Sequence, residues 1–222
     1  MMIWIADRTG RFRKRPYFFQ EALDRRCKRV VTQFTERLYG QHTTRLPTGA
    51  LIKMIEKHAA SLHLYADLSN EGDGVEGVTY FLTGCRPAVC IARHLFEDNS
   101  RVHRLRHVLA HEYGHVRLHA PAWQRRWIDR EEIRRCHGNN VLTLESGFDW
   151  MEWQASYAAA ALLMPKSRLH LTVAAYFRGR EMRQLPSDSR EATDLEQLVG
   201  EAFEVSVDAA RVRLSQLGYL AA

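Results

Sequence analysis

The chain predicts an α+β fold, on three observations. Apolar residues recur at helical spacing near the amino terminus (Phe19, Ala22, Leu23, Val30, Val31, Phe34). Between His63 and Leu95, short β-prone segments alternate with turn clusters. From Val102 onward the apolar spacing is helical again. With 222 residues, 45% hydrophobic and 26% charged, the chain can bury a real core. The expected organisation is a main domain over 1–178 and a small helical unit over 190–222.

In order along the chain, a basic arm with Arg8, Arg11, Arg13, Lys14 and Arg15 precedes a helix expected over 18–38. Pro47 opens a second helix through Leu51, Ile52 and Ile55, so the first sixty residues read as helical. Then LHLYADL alternates, NEGDG is a turn cluster, GVTYFL is β-prone and Arg86-Pro87 precedes AVCIARHL, which together predict a small sheet. Ser100 can cap the next helix, in which Val102, Leu105, Val108, Leu109 and Val116 keep helical spacing with no proline before Pro121. A helix and then a loop around His137-Gly138-Asn139-Asn140 are expected over 120–150. The alanine-rich DWMEWQASYAAAALLMP predicts a helix to about Met164, ended by Pro165. An exposed linker over 179–189 leads to helical segments at 191–204 and 206–217.

Composition narrows the function classes. No stretch approaches the roughly 20 apolar residues of a membrane span, and the amino terminus lacks the apolar run of a secretion signal, so a cytoplasmic protein is expected. Cys27, Cys85, Cys90 and Cys136 do not complete a zinc-ribbon pattern and are expected to be reduced thiols. The net charge is +6 and the pI about 9.3. The basic clusters, RFRKR at 11–15, Arg25 to Arg29, and Arg125, Arg126, Arg134 and Arg135, match no nucleic-acid motif and read as solvated faces.

Chemistry concentrates in HEYGH, residues 111–115. An α-helix turns about 100° per residue, so His111 and His115 lie about 40° apart on one face, able to hold one metal ion. Glu112 beside them is the candidate base, since a zinc-activated water with a pKa near 7 still needs a group to take its proton. A catalytic zinc needs a third protein ligand. A metzincin pattern would put glycine at 118 and histidine at 121, where the chain has Leu118 and Pro121. His119 lies too far along the helix for a metal held by the first two, and reads as a helix-end cap or packing residue. Two acids remain, Glu152 at the start of the alanine-rich helix and Glu145 four before Asp149; Glu152 is favoured because a helix holds its ligand rigidly. Asp149, Tyr157 and His119 are candidates for the groups that orient the histidines, with Tyr157 equally readable as a core aromatic.

At this point RLRHVLAHEYGHVRLH, followed by EWQASYAAAALLMP, resembles the ImmA/IrrE family of zinc metallopeptidases. RPYFFQEALDRRC, VEGVTYFLTGCRPAVCIA and FEVSVDAARVRLSQLGYL are also similar to that family's pieces, so the resemblance covers most of the chain. It implies a zincin-like, gluzincin-type core and Zn²⁺ held by His111, His115 and Glu152, with Glu112 as base. It also implies cleavage of a helix-turn-helix repressor, which frees genes of a mobile element or stress response. The chain departs from the family in the long stretch between His119 and Glu152, containing Cys136 and His137, which keeps Glu145 as the alternative ligand.

The tail offers a competing class of function. LEQLVGEAF, EVS and VDAARVRLSQLGYL resemble a helix-turn-helix, so the chain could instead be a DNA- or protein-binding regulator with a non-catalytic metal site. Charge argues against direct DNA binding: Glu191, Asp194, Glu196, Glu201, Glu204 and Asp208 outweigh Arg211 and Arg213, whereas phosphate affinity depends on cations. The tail is expected to pack on the core through Leu195, Leu198, Phe203, Val207, Val212, Leu214 and Leu217.

Overall fold

The computed structural model describes residues 1–8, 12–40, 45–81, 84–124, 149–178, 181 and 183–221. Arg11, the arginines at 125–135, Cys136, His137 and Glu145 lie outside the described residues.

The expected basic arm is a β-hairpin, which corrects the all-helical reading of the first sixty residues. Strand β1 (Met2–Ala6) pairs antiparallel with β2 (Lys14–Phe18), placing Trp4 opposite Pro16. The Phe19 N–H donates to Met1 O at 3.5 Å, which puts the ladder bonds on the odd-numbered pairs. Pro16 therefore sits where its missing N–H breaks nothing and its carbonyl turns away from β1. Helix α1 (Gln20–Tyr39) buries Leu23, Cys27 and Val31 and stops at Gly40, whose φ of 66° suits a residue without a β-carbon. Pro47 immediately precedes α2 (Thr48–His58), which buries Ala50, Leu51, Met54 and Ile55.

The three β-prone segments form the expected sheet: β3 (Ser61–Ala66), β4 (Gly77–Tyr80) and β5 (Ala88–Ala92). The order is β3-β5-β4, with β5 parallel to β3 and antiparallel to β4. Val89 and Ile91 bury one face of the central strand in the main core, and β4 forms an edge beside the helix that carries HEYGH. A short α3 (His94–Glu97) and a 3-10 turn (Asn99–Arg101) feed α4 (Val102–Leu118). Ser100 does not cap α4: its N–H and hydroxyl both donate to Asp98, which caps the preceding turn. Next come α5 (Ala120–Gln124) and α6 (Trp150–Leu163), the latter started by Asp149 accepting from the Met151 N–H at 2.9 Å.

Pro165 ends one helix and begins another, α7 (Lys166–Phe177), which the sequence reading had not distinguished. Proline lacks the N–H that a continuing helix needs, yet its fixed φ suits a helix start. Ser189 and Ser206 cap α8 (Arg190–Phe203) and α9 (Val207–Gln216) through the Ala192 and Ala209 N–H groups. Leu195, Val199, Phe203, Ala210 and Leu214 join one apolar cluster with Leu23, Val31, Leu109 and Leu162. Each of the leucine, valine and phenylalanine side chains contributes roughly 1.5–3 kcal/mol by leaving water. Leu198, Val207 and Val212 face outward instead, 38%, 39% and 53% exposed, which corrects their expected packing role. Between α1 and α9, Arg213 is buried against Asp24, which also accepts from the Tyr157 hydroxyl at 3.1 Å. Among the described residues no helix is long and apolar enough to cross a membrane.

Candidate metal centre

Helix α4 turns His111 and His115 to one side, and α6 crosses against it with Glu152 in its first turn. The crossing is close because residue 114 is glycine: a β-carbon there would lie 3.1 Å from Ala155 Cα and 3.2 Å from its carbonyl oxygen. His111 Nε2 is 3.1 Å from Glu152 Oε2, His115 Nε2 is 3.5 Å from Glu152 Oε1, and the two Nε2 atoms are 3.0 Å apart. A tetrahedral ion with bonds of about 2.0–2.1 Å holds its donors roughly 3.3 Å apart, close to the Nε2–Nε2 spacing and to the distance from each Nε2 to one of the two carboxylate oxygens. His111, His115 and Glu152 thus form a buried group that could hold a metal ion. Burial works against ionisation of Glu152, but the charges and hydrogen bonds of His115 and His111 overcome it and hold the carboxyl below the ordinary carboxylate range.

Glu112 is fully buried beside this group. Its Oε2 accepts from the Thr79 hydroxyl of β4 at 2.5 Å, while its Oε1 has no hydrogen-bond partner. Burial pushes the Glu112 carboxyl up to about 7; His115 and the Thr79 hydrogen bond pull it down, and the nearby Glu152 charge adds to the rise. A buried carboxyl with that poise and one unoccupied oxygen suits proton transfer near neutrality.

Of the three candidates to orient the histidines, one lies against them. His119 lies with its Nδ1 3.0 Å from His115 Nδ1 and its Nε2 3.2 Å from Gln154 Oε1, and Gln154 Nε2 donates to Pro16 O at 3.0 Å. Burial, and then the charge of His115, hold the His119 pKa well below the ordinary value. Asp149 instead caps α6, and Tyr157 turns to Asp24 as part of the core. Ser156 Oγ lies 3.4 Å from His111 Nδ1. The wall beyond is aromatic: Phe81 and Trp123 stack with centroids 5.3 Å apart, and Trp150 meets His119 edge-on at 5.4 Å.

A cleft of about 570 Å³ opens between α4, α6 and α9, bounded by His107, Ser156, Leu163, Ala209 and Val212. It adjoins the histidines through Ser156. Sequence reasoning missed Thr79, Gly77, Gln154 and Ser156 because each reaches the site across the tertiary fold; the one local signal was Gly114, unusual inside a helix. No protein-family model matches the chain, and no curated protein does either.

Proposed function

We propose that the chain is a cytoplasmic zinc-dependent endopeptidase with a zincin-like, gluzincin-type core, as its resemblance to the ImmA/IrrE family implies. The observation that carries this reading is the buried His111, His115 and Glu152 triangle with the carboxyl of Glu112 beside it. Zinc, when bound there, supplies Lewis acidity toward the scissile carbonyl and lowers the pKa of water. The protein's own part is proton transfer: Glu112 Oε1 takes the proton as water attacks the carbonyl and then delivers it to the leaving amine. Thr79 holds Oε2, so the two carboxylate oxygens have separate duties.

An edge strand next to the site supports an extended protein segment as substrate, because β4 can offer main-chain groups to it. The substrate class, a helix-turn-helix repressor, rests on the family resemblance. The regulator reading, in which the tail contacts DNA, is disfavoured because Arg213 is buried on Asp24 and Arg211 forks onto both oxygens of buried Glu196.

The test is elemental analysis of the wild type, Glu152→Ala and Glu112→Gln, beside mass-spectrometric detection of cleavage in a panel of helix-turn-helix repressors. Glu112→Gln should keep its metal and lose about 10²–10⁴-fold in cleavage rate, whereas Glu152→Ala should lose the metal. Normal cleavage by Glu112→Gln would sink the mechanism.

A further inference from the structure

We propose that His119 and Gln154 are positioning residues that keep the proton of His115 on Nδ1, leaving Nε2 bare for the metal, and that the Pro16 carbonyl sets this proton order. The proposal rests on the metal-site reading above.

The argument runs inward from the hairpin. A carbonyl oxygen only accepts, so at 3.0 Å from Pro16 O the facing atom of Gln154 is its NH₂ group. The other end of the same amide, Oε1, therefore faces His119 Nε2 at 3.2 Å. That oxygen also only accepts, so His119 carries its hydrogen on Nε2 and presents a lone pair from Nδ1. His115 Nδ1, 3.0 Å away, is then the donor of that contact. With its single hydrogen on Nδ1, a neutral His115 turns an unprotonated Nε2 toward His111 and Glu152.

The reverse order fails at its outer end. A flipped Gln154 amide would set two acceptors against each other at Pro16, and with the amide as it stands a hydrogen on His119 Nδ1 would leave a bare Nε2 facing the lone pairs of Gln154 Oε1. Water cannot repair either fault, because His115, His119 and Gln154 are 0%, 0% and 1% exposed. Pro16 O is available for this duty because its pair with Trp4 is one of the non-bonded pairs of the β-ladder. His111 is held more loosely: Ser156 Oγ is 3.4 Å from its Nδ1, and a hydroxyl can donate or accept. The device is therefore specific to His115 and ties it to the amino-terminal hairpin.

Two readouts test it. Long-range ¹H–¹⁵N correlation spectra of the metal-free wild type assign the protonated nitrogen of each ring, and chelator competition gives the zinc dissociation constant of wild type, Gln154→Leu, His119→Leu and His119→Asn. The expected result is hydrogen on Nε2 of His119 and on Nδ1 of His115 in the wild type. Gln154→Leu should mix the His119 tautomers and weaken zinc about 10–100-fold. His119→Asn, which can keep an acceptor near the Nδ1 position, should hold zinc more tightly than His119→Leu. A wild-type His119 protonated on Nδ1, or unchanged zinc affinity in Gln154→Leu, would overturn the proposal. A wild type that binds no zinc while its rings show the expected tautomers would overturn the metal reading and the positioning role with it, leaving the proton order as a fact of the fold.

Discussion

A β-carbon at Gly77 would lie 2.6 Å from Glu112 Oε1 and 2.7 Å from Val108 Cγ1, so β4 meets α4 where only a hydrogen fits. Gly77→Ala must push the Glu112 carboxyl or the strand aside. It should destabilise the protein by about 1–3 kcal/mol through overpacking. It should also slow peptide cleavage at least ~10-fold by misplacing the base, with metal content unchanged. Urea melts, elemental analysis and cleavage assays on one preparation separate these effects.

Gly114 sets the spacing of the two helices that carry His111, His115 and Glu152, since its neighbour across the crossing is Ala155 backbone. Zinc at a thousand times its dissociation constant should add about 4 kcal/mol to the stability of the metal-free protein. Gly114→Ala should shrink that increment by pushing Glu152 away from His111 and His115. Thermal melts of the stripped and zinc-loaded forms, for both proteins, measure it; an equal increment in the two would show that the crossing distance does not matter.

The buried pair of Asp24 and Arg213 joins α1 to α9. Asp24→Asn leaves the guanidinium without its counter-charge and should cost about 3–5 kcal/mol. Asp24→Leu combined with Arg213→Met removes both charges and should cost less than the sum of the two single changes. Chemical denaturation of the wild type, Asp24→Leu, Arg213→Met and the double variant gives the coupling directly, and Asp24→Asn is measured beside them.

Among the described residues, Cys27, Cys85 and Cys90 form no disulfide. Burial pushes the Cys27 thiol up to about 12, so at pH 8 it remains protonated and inert, and it is enclosed as well. Exposed Cys85 should alkylate rapidly in the native protein, and Cys27 only with global unfolding, as peptide mass spectrometry would read. Fast native labelling of Cys27 would contradict the packing of α1 on α6.

The helices around the site were legible because their signals are local. The histidines of α4 sit in a run of helically spaced apolar residues, and Glu152 opens an alanine-rich helix with a capping aspartate before it and proline after. The β1–β2 hairpin was not legible, because the few apolar residues of MIWIA adjoin a run of positive charge and take their structure from a partner strand some ten residues on. The inner half of the site was hidden for the same reason. Thr79 reaches Glu112 across 33 positions and Gln154 reaches Pro16 across 138. His119 was excluded as a ligand by its distance along the helix but stood among the candidates to orient the histidines, and the structure lays it against His115. Ser100 lost the capping role because Asp98, two residues earlier, offers a carboxylate to the same turn.

Arg106, one turn before His111, is fully buried and donates to Leu46 O at 2.8 Å, Glu204 O at 2.9 Å and Phe203 O at 3.1 Å. Two of those three carbonyls belong to the end of α8. Without α8 and α9 this guanidinium would lose two of its acceptors and its cover, so removal of the tail is felt on the helix that carries His111 and His115. Because the acceptors are backbone carbonyls, what Arg106 requires of the tail is the path of its chain and not its side chains.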